Sequence, residues 1–144
     1  MKTLLCLDLE GTLISNAVSQ IPRPNLHRFL VEVRELCDLM IYTSVSAPRV
    51  DAIRELLVQE GVAPSWFKDL QVIRPSGTLK PKASCGRDQA FLLDDQTVVM
   101  VPGEEGWWIQ IRQYLPPYSK EDSALSDSLT LIRQATQIKE GFEG

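Results

Sequence analysis

The segment TLLCLDLEGTLIS, residues 3–15, decides the fold of this chain. Its first part, residues 3–9, is a short apolar run that ends in acidic residues and then meets Gly11. A run of this length between such boundaries is typical of a buried parallel strand rather than of a helix. We therefore predict a first strand here, with Asp8 and Glu10 at its carboxyl end.

Four further short segments are apolar or rich in β-branched residues, as strands usually are. They are residues 39–42, 71–73, 90–93 and 97–101. Strands that are partly separated by helices indicate an α/β sheet whose strands are mostly parallel. We therefore expect a three-layer, Rossmann-like α/β fold of about five strands, with helices on both faces of the sheet.

Three segments have the periodicity of amphipathic helices. Apolar residues recur at helical spacing along residues 26–37, directly after a proline that suits a helix start. A second helix is expected between Ser46, a candidate N-cap, and Gly61, a candidate stop. The third covers residues 123–138. Between the last two helices, residues 107–109 read Trp-Trp-Ile; we expect them to pack on the sheet edge, with an exposed partner patch as the alternative.

Length and composition describe one ordinary globular domain. The chain has 144 residues, of which 44% are hydrophobic, and a formal net charge of −4. We expect residues 1–144 to form a single domain, with a core over about 3–101, followed by an irregular segment and a final helix over about 102–140. The mild acidity and the lack of a basic run disfavour nucleic acid as a partner.

The cysteines and the amino terminus indicate the compartment. Cys6, Cys37 and Cys85 are odd in number and widely spaced, without the spacing of a zinc site, so we predict reduced thiols. Acidic residues interrupt the first apolar run long before it reaches the length of a signal peptide or membrane span. The sequence predicts a cytoplasmic protein without a membrane partner, and it leaves an oligomer open.

Polar residues follow the ends of several predicted strands or lie in the turn-rich segment 74–82. They are Asp8, Glu10, Thr43, Ser44, Lys80 or Lys82, Asp94 and Asp95. In an open parallel sheet, ligands bind beyond the carboxyl ends of the strands, so we expect these side chains to converge. Several carboxylates beside one ammonium group require a cation, and an all-oxygen set suits Mg²⁺.

This combination of groups is typical of phosphoryl transfer. A carboxylate attacks phosphorus, the cation and the lysine neutralise the phosphate oxygens, and a hydroxyl with backbone amides holds them. Each short motif alone is more often a turn, a cap or a solvated acid pair. The joint occurrence of these motifs in this order favours phosphoryl transfer, and a purely structural α/β domain is the simplest alternative.

Four segments resemble, in order, the four sequence motifs of the haloacid dehalogenase superfamily. They are LCLDLEGTLIS, LMIYTS, GTLKPK and AFLLDDQ. Residues 23–44, RPNLHRFLVEVRELCDLMIYTS, also resemble a unit of the small phosphatases that act on the carboxy-terminal tail of RNA polymerase II, the NLI-interacting-factor-like branch. The resemblance covers about residues 3–101. Receiver domains of two-component signalling use similar residues, but their acidic pair comes first along the chain, whereas here it comes last.

The resemblance implies how the acidic residues act. Asp8 is the expected nucleophile and first metal ligand. Asp94 is expected to bind Mg²⁺ directly, and Asp95 to reach it through water or to orient the lysine. In this superfamily the residue at the position of Glu10 contributes its backbone carbonyl to the metal, so Glu10 completes the expected metal set.

The resemblance also implies which residues hold the phosphoryl group. Thr43 and Ser44 would bind it together with the motif lysine. Lys80 is preferred for that role because a Lys-Pro pair is frequent in this motif, and Lys82 is the alternative. Thr12 would brace the turn after the nucleophile.

Glu10 departs from the pattern of the superfamily. Most of its phosphatases have Asp here, which protonates the leaving group and then activates water. Glu is longer by one methylene, and a positional error near 1 Å can cost about 100-fold in rate. The leading hypothesis is a Mg²⁺-dependent phosphatase with an aspartyl-phosphate intermediate; the alternative is a weakly active or inactive module that binds a phosphorylated partner.

The spacing of the motifs leaves no room for an independent cap domain. Only about 35 residues separate Asp8 from Thr43, and a similar number separates Thr43 from Lys80. We therefore expect an open site that accepts a phosphoprotein or a small phosphate ester. For Arg74 and Ser76, just before the lysine, we favour a role in a turn over substrate contact.

Overall fold

The structure, a computed structural model, describes residues 2–143, and side chains up to residue 137. Five strands are found there: β1 (Thr3–Leu7), β2 (Cys37–Tyr42), β3 (Val72–Ile73), β4 (Ala90–Asp94) and β5 (Trp108–Gln110). The α-helices of these residues are α1 (Leu26–Leu36), α2 (Ala47–Gln59) and α3 (Ala124–Glu143). Short 3₁₀ turns occur at Ser65–Asp69, Lys82–Cys85, Thr97–Val99 and Glu105–Trp107.

The five strands form one parallel sheet in the order β3-β2-β1-β4-β5. The first strand, β1, is central and pairs with β2 on one side and β4 on the other. The order along the sheet reverses beside β1, and ligands of open α/β sheets bind in the crevice at such a point. The expected α/β sheet without a large cap is confirmed.

The two faces of the sheet are covered differently. Successive side chains of a strand point to opposite faces, and all five residues of β1 are buried. Leu5 and Leu7 pack with residues of all three α-helices, whereas Leu4 and Cys6 pack with Val99 and other residues of the 3₁₀ turns. Helical segments therefore cover both faces, as predicted, but the three α-helices lie on one face and only short 3₁₀ turns lie on the other. The connection after β3 is too rich in Pro, Gly and Ser to sustain an α-helix.

The amphipathic helices bury the stripes that their sequences predict, except that Cys37, expected to end the first stripe, is the first residue of β2. In α1 the buried residues are Leu26, Phe29, Leu30 and Val33; in α3 they include Leu125, Leu129 and Ile132. Ser46 stands at the N-cap of α2, but its side chain makes no capping hydrogen bond. The third helix begins one residue later than predicted and continues to Glu143, and the side chain of Ile138 lies outside the described residues.

The predicted strand at residues 97–101 is wrong. Thr97–Val99 is a 3₁₀ turn, and the fifth strand is Trp108–Gln110, which pairs in parallel with β4. The β-branched residues of this segment favour a strand, but the Asp94 carboxylate accepts a hydrogen bond from the Gln96 amide and turns the chain away from the sheet. The expectation that the tryptophan segment packs on the sheet edge is confirmed.

Residues 15–24 form a compact loop, which we call the flap loop. The Ser15 amide donates to the Ile21 carbonyl, and Ile14 forms an antiparallel bridge with Pro22. The loop therefore folds back beside the turn that follows β1.

Among the described residues, none of the helices combines the length and the apolar character needed to cross a bilayer.

Candidate active site

The ends of three neighbouring strands bring the predicted residues together. Asp8 follows β1, Thr43 follows β2, and Asp94 is the last residue of β4. Backbone hydrogen bonds continue the sheet at two of these positions, from the Asp8 amide to the Leu93 carbonyl at 3.0 Å and from the Thr43 amide to the Ile73 carbonyl at 3.1 Å. The backbone of each functional residue is thus held by the sheet itself.

Lys80 joins two of the carboxylates. Its Nζ donates to Asp8 Oδ1 at 3.0 Å and to Asp94 Oδ2 at 2.5 Å, and all three residues are buried. The Lys80 amide donates to the Val99 carbonyl at 2.7 Å, which fixes the loop that carries the side chain. Lys82 is only partly buried, and its amide donates to Glu104 Oε1. Of the two candidate lysines, Lys80 is the one that meets the acidic residues.

Burial and neighbouring charges shift the pKa values of Asp8, Asp94 and Lys80. Desolvation raises the pKa of Asp8 well above its ordinary value, although the Lys80 charge acts in the opposite direction. Desolvation likewise raises the pKa of Asp94. Desolvation opposes the charged form of Lys80, but the charges of Asp8 and Asp94 outweigh it and raise the lysine pKa. The Lys80 ammonium group therefore faces two buried acidic residues whose ionised forms would be stabilised by any further positive charge.

Three acidic residues are arranged to hold a cation. Asp8, Asp94 and Asp95 each offer a carboxylate oxygen, and these oxygens lie within 4.8 Å of one another. The set contains only oxygen donors, the ligands that Mg²⁺ prefers, so the residues fit this ion. Glu10 is not part of the side-chain set.

The turn after β1 supports the Asp8 carboxylate. Thr12 Oγ1 donates to Asp8 Oδ2 at 2.8 Å and lies 3.3 Å from Asp95 Oδ1. Gly11 adopts φ +74°, and a Cβ atom there would collide with the Asp95 carboxylate. Glycine is therefore required at this position for two reasons, the backbone conformation and the close approach of Asp95. Because Gly11 has no side chain, the turn leaves room for the Asp95 carboxylate.

The Glu10 side chain is partly buried and reaches the flap loop. Its Oε2 accepts a hydrogen bond from the Ala17 amide at 2.7 Å. Arg49 of α2 holds the same loop through the Ala17 carbonyl, at 3.1 Å. One oxygen of the Glu10 carboxylate is thus occupied by the backbone of the loop, while the residue still lines the cleft.

Thr43 and Ser44 lie at the end of β2 in different environments. Thr43 is buried, and its Oγ1 accepts a hydrogen bond from the Val45 amide at 3.2 Å. Ser44 is exposed and lines the cleft. The exposed Arg74 approaches the Ser44 carbonyl at 3.4 Å, so it braces this loop as a turn residue would. Ser76 is also exposed, in the loop before Lys80.

The acidic residues and Lys80 line a cleft of about 500 Å³. Its walls come from the turn after β1, the flap loop, the loop before Lys80 and the residues after β4. Besides the acids and the lysine, the lining includes Ser15, Asn16, Ser44, Thr78, Gln96 and Gln113. With Ser44 from the loop after β2 and Gln113 from the segment after β5, six parts of the chain border the cleft.

The sequence did not identify several residues that support this site. Trp108 Nε1 donates to the Asp94 carbonyl at 3.0 Å, and Gln96 Nε2 donates to Asp95 Oδ2 at 2.7 Å. Arg23 binds the carbonyls of Gly11 and Thr12. Arg23 and Gln96 lie in segments that support the resemblance, residues 23–44 and 90–96, but neither segment indicated these contacts.

Comparisons with known proteins identify the family and the fold of the chain. The sequence matches the family model of NLI interacting factor-like phosphatases over residues 3–141, which extends past the four motifs into α3. The fold is similar to that of a variant of the fission yeast RNA polymerase II CTD phosphatase Fcp1 bound to beryllium fluoride, with a TM-score of 0.54 and 13% identity. That match covers 96% of this chain and 51% of the other, so the chain spans about half of its length. No curated protein sequence matches the chain.

Proposed function

The chain belongs to the family of NLI interacting factor-like phosphatases, and on that premise we propose that it is a Mg²⁺-dependent phosphatase. It hydrolyses a phosphomonoester through an aspartyl phosphate on Asp8. The observation that carries this proposal is the cluster of Asp8, Asp94 and Asp95 with Lys80 at the floor of one cleft. The cluster provides a nucleophile, a set of cation ligands and a buried positive charge in one place.

The carboxylates of Asp8, Asp94 and Asp95 hold the metal in this proposal, with the Glu10 carbonyl as the ligand implied by the resemblance. When bound, Mg²⁺ neutralises phosphate oxygens and lowers the repulsion between the substrate and the Asp8 carboxylate. Three carboxylates against one ammonium group leave an excess of negative charge that a divalent cation balances.

In the first step, an oxygen of the Asp8 carboxylate attacks phosphorus. A bond forms between that oxygen and phosphorus while the bond to the leaving oxygen breaks. The Thr12 hydroxyl and the Lys80 ammonium group orient the carboxylate, and Lys80 also balances charge on the phosphoryl oxygens. The Glu10 carboxyl gives its proton to the leaving oxygen.

In the second step, water attacks phosphorus of the aspartyl phosphate. The Glu10 carboxylate takes a proton from this water, and the bond between Asp8 and phosphorus breaks. Inorganic phosphate leaves and the Asp8 carboxylate is restored. Thr43 and Ser44 hold the phosphoryl oxygens through both steps, as the resemblance implies.

We assign a phosphorylated protein segment as the preferred substrate class, with small phosphate esters as the second choice. A cleft bordered by loops and no large cap suits an extended chain better than it suits an enclosed metabolite. The net charge of −4 does not favour a nucleic acid. Cys6, Cys37 and Cys85 form no disulfide among the described residues, which supports a reducing compartment such as the cytoplasm.

A second function is favoured by the position of Glu10. Because its Oε2 accepts the Ala17 amide, the carboxylate is partly committed to the flap loop. If this bond persists during the reaction, the leaving group is poorly protonated and turnover is slow. The chain would then act mainly as a module that binds a phosphorylated partner in the same cleft.

The proposal is tested by hydrolysis of a generic aryl phosphate with and without Mg²⁺. We expect hydrolysis only with Mg²⁺, and none in Asp8→Asn, because an amide is a poor nucleophile and a weaker metal ligand. Asp38→Asn is the matched control, since Asp38 is exposed and pairs with Arg87 away from the cleft. Mg²⁺-independent hydrolysis, or an active Asp8→Asn variant, contradicts the proposal.

A further inference from the structure

We propose that Arg23 is a positioning residue for Asp8 and that it acts through the turn at Gly11 and Thr12. This inference rests on the proposed function, because it assigns Asp8 as the nucleophile. Arg23 lies in the flap loop, and its side chain is 0% exposed. A fully buried arginine normally has partners for its charge and its donors, and the identity of these partners indicates its role.

The Arg23 guanidinium joins two distant parts of the chain. Its Nε and Nη2 donate to the two carboxylate oxygens of Asp122, at 2.9 and 3.1 Å. Its Nη1 donates to the carbonyls of Gly11 and Thr12, at 3.1 and 3.3 Å. The Tyr114 ring lies beside the same group, with its centroid 5.2 Å from Cζ. The planar fork of arginine suits this arrangement, since it binds one carboxylate with two donors and leaves a third nitrogen free for the turn.

The turn that Arg23 holds is the one that orients Asp8. The Thr12 hydroxyl donates to Asp8 Oδ2, and Gly11 approaches the Asp95 carboxylate closely. The Gly11 carbonyl accepts a second hydrogen bond, from the Tyr114 amide at 2.8 Å. A shift of the two carbonyls therefore moves Thr12 and, with it, the attacking carboxylate. Arg23 does not line the catalytic cleft, so it acts without touching the substrate.

Asp122 connects this support to the final helix. Its Oδ1 also accepts the Ala124 amide at 3.0 Å, at the start of α3. Hydrogen bonding to Arg23 and Ala124 outweighs desolvation and lowers the pKa of Asp122, so it is an anion near neutral pH. The beginning of α3 is thereby fixed to the turn after the nucleophile. The segment after β5 is part of the framework of the site rather than a separate appendage.

The test compares Arg23→Lys with a matched control, Arg54→Lys. Arg54 is also buried, and it donates to the Leu70 carbonyl and to Asp51, both at 2.8 Å and away from the cleft. Each variant replaces a guanidinium fork by an ammonium group. The measurements are kcat and KM for an aryl phosphate with Mg²⁺, well below the melting temperature of either variant, and hydrogen exchange of the amides of residues 9–15.

We expect Arg23→Lys to lower kcat by about 10- to 100-fold with KM nearly unchanged, because the nucleophile is misplaced while phosphate binding remains. Exchange of residues 9–15 becomes faster in the same variant, whereas Arg54→Lys changes neither property. Full kcat and unchanged exchange in Arg23→Lys, with only a lower melting temperature, overturns the inference.

Asp122→Asn tests the same contact by changing the partner of Arg23, and it replaces Arg23→Lys as the test if that variant does not fold. It keeps the size of the side chain but removes the charge that orients the guanidinium, so kcat falls and exchange in residues 9–15 rises. Unchanged values for both contradict the inference. If the natural protein does not hydrolyse the ester, the proposed function fails, and the exchange measurement still decides whether Arg23 holds the turn.

Discussion

Lys80 lies between Asp8, the proposed nucleophile, and Asp94, the proposed metal ligand, with its Nζ within 3.0 Å of both. The three side chains depend on one another because each is buried. Removing the ammonium group leaves two acidic groups close together in a poorly solvated position. We therefore expect Lys80 to stabilise the folded structure, in addition to its proposed role in binding phosphate.

Lys80→Met is expected to lower the free energy of unfolding by about 3 kcal/mol in buffer without Mg²⁺, as when one partner of a buried ion pair is removed. Lys82→Met is the matched control, and we expect a change within about 0.5 kcal/mol because its ammonium group is outside the cluster. Urea denaturation measures both values. Equal losses in the two variants would contradict the assignment of Lys80.

Glu10→Asp is expected to raise turnover of an aryl phosphate, by up to about 100-fold. The shorter side chain no longer reaches the Ala17 amide, so its carboxyl group is free to protonate the leaving oxygen. Glu10→Gln is the control, because the amide keeps the length but cannot give up a proton in this way. Lower kcat in Glu10→Asp than in the natural protein would contradict this prediction and show that the longer side chain is the better acid and base here.

The strand-end residues could be predicted from the sequence because each motif is local. An acidic residue directly after an apolar run marks the carboxyl end of a strand, whatever its neighbours in space. Arg23 could not be assigned in this way, since its partner Asp122 is 99 residues away along the chain. Contacts of that kind depend on packing, which a single sequence does not reveal.

The edge strand β5 supports the site from the side of the sheet. Trp108 begins this strand, and its indole N–H donates to the carbonyl of Asp94, one strand away. The neighbouring Trp107 is buried, and its Nε1 has no hydrogen-bond partner among the described residues. The two tryptophans therefore differ in one specific respect, the indole hydrogen bond to β4.

Trp108→Phe is expected to weaken Mg²⁺ binding by about fivefold, since loss of one hydrogen bond of about 1 kcal/mol loosens the backbone of Asp94. Trp107→Phe also loses packing, but it removes no indole hydrogen bond, so Mg²⁺ affinity remains. The shift of the melting temperature with Mg²⁺ concentration measures this difference. Equal Mg²⁺ affinities in both variants would contradict a role for the indole contact.

The wrong prediction of a strand at residues 97–101 also concerns the edge of the sheet. Local preference favoured a strand, but the hydrogen bond of Asp94 to the Gln96 amide begins a turn. The strand that does pair with β4 has only three residues and begins with tryptophan. The sequence of this segment was therefore equally compatible with side chains that pack on the sheet edge without forming a strand. Segments this short are decided by tertiary contacts rather than by their own composition.

The molecule as a whole is a parallel sheet with a cleft at the ends of its central strands. The order β3-β2-β1-β4-β5 follows from the connections, and it brings Asp8, Thr43 and Asp94 to one edge. Without a large cap, the cleft is bordered only by loops, among them the flap loop. In the proposed function, selectivity for a substrate therefore depends on these loops. The single-domain organisation of residues 1–144 stays a prediction.

The central claim is that Asp8 carries the phosphoryl group during turnover, and trapping that intermediate tests it most directly. Protein mixed with an aryl phosphate and Mg²⁺ is quenched in acid within milliseconds, and its peptides are analysed by mass spectrometry. We predict a phosphoryl group on Asp8 that hydroxylamine removes and that is absent without Mg²⁺. Hydrolysis of the ester with no phosphorylated Asp8 at any quench time, or with the group on another residue, would contradict the account.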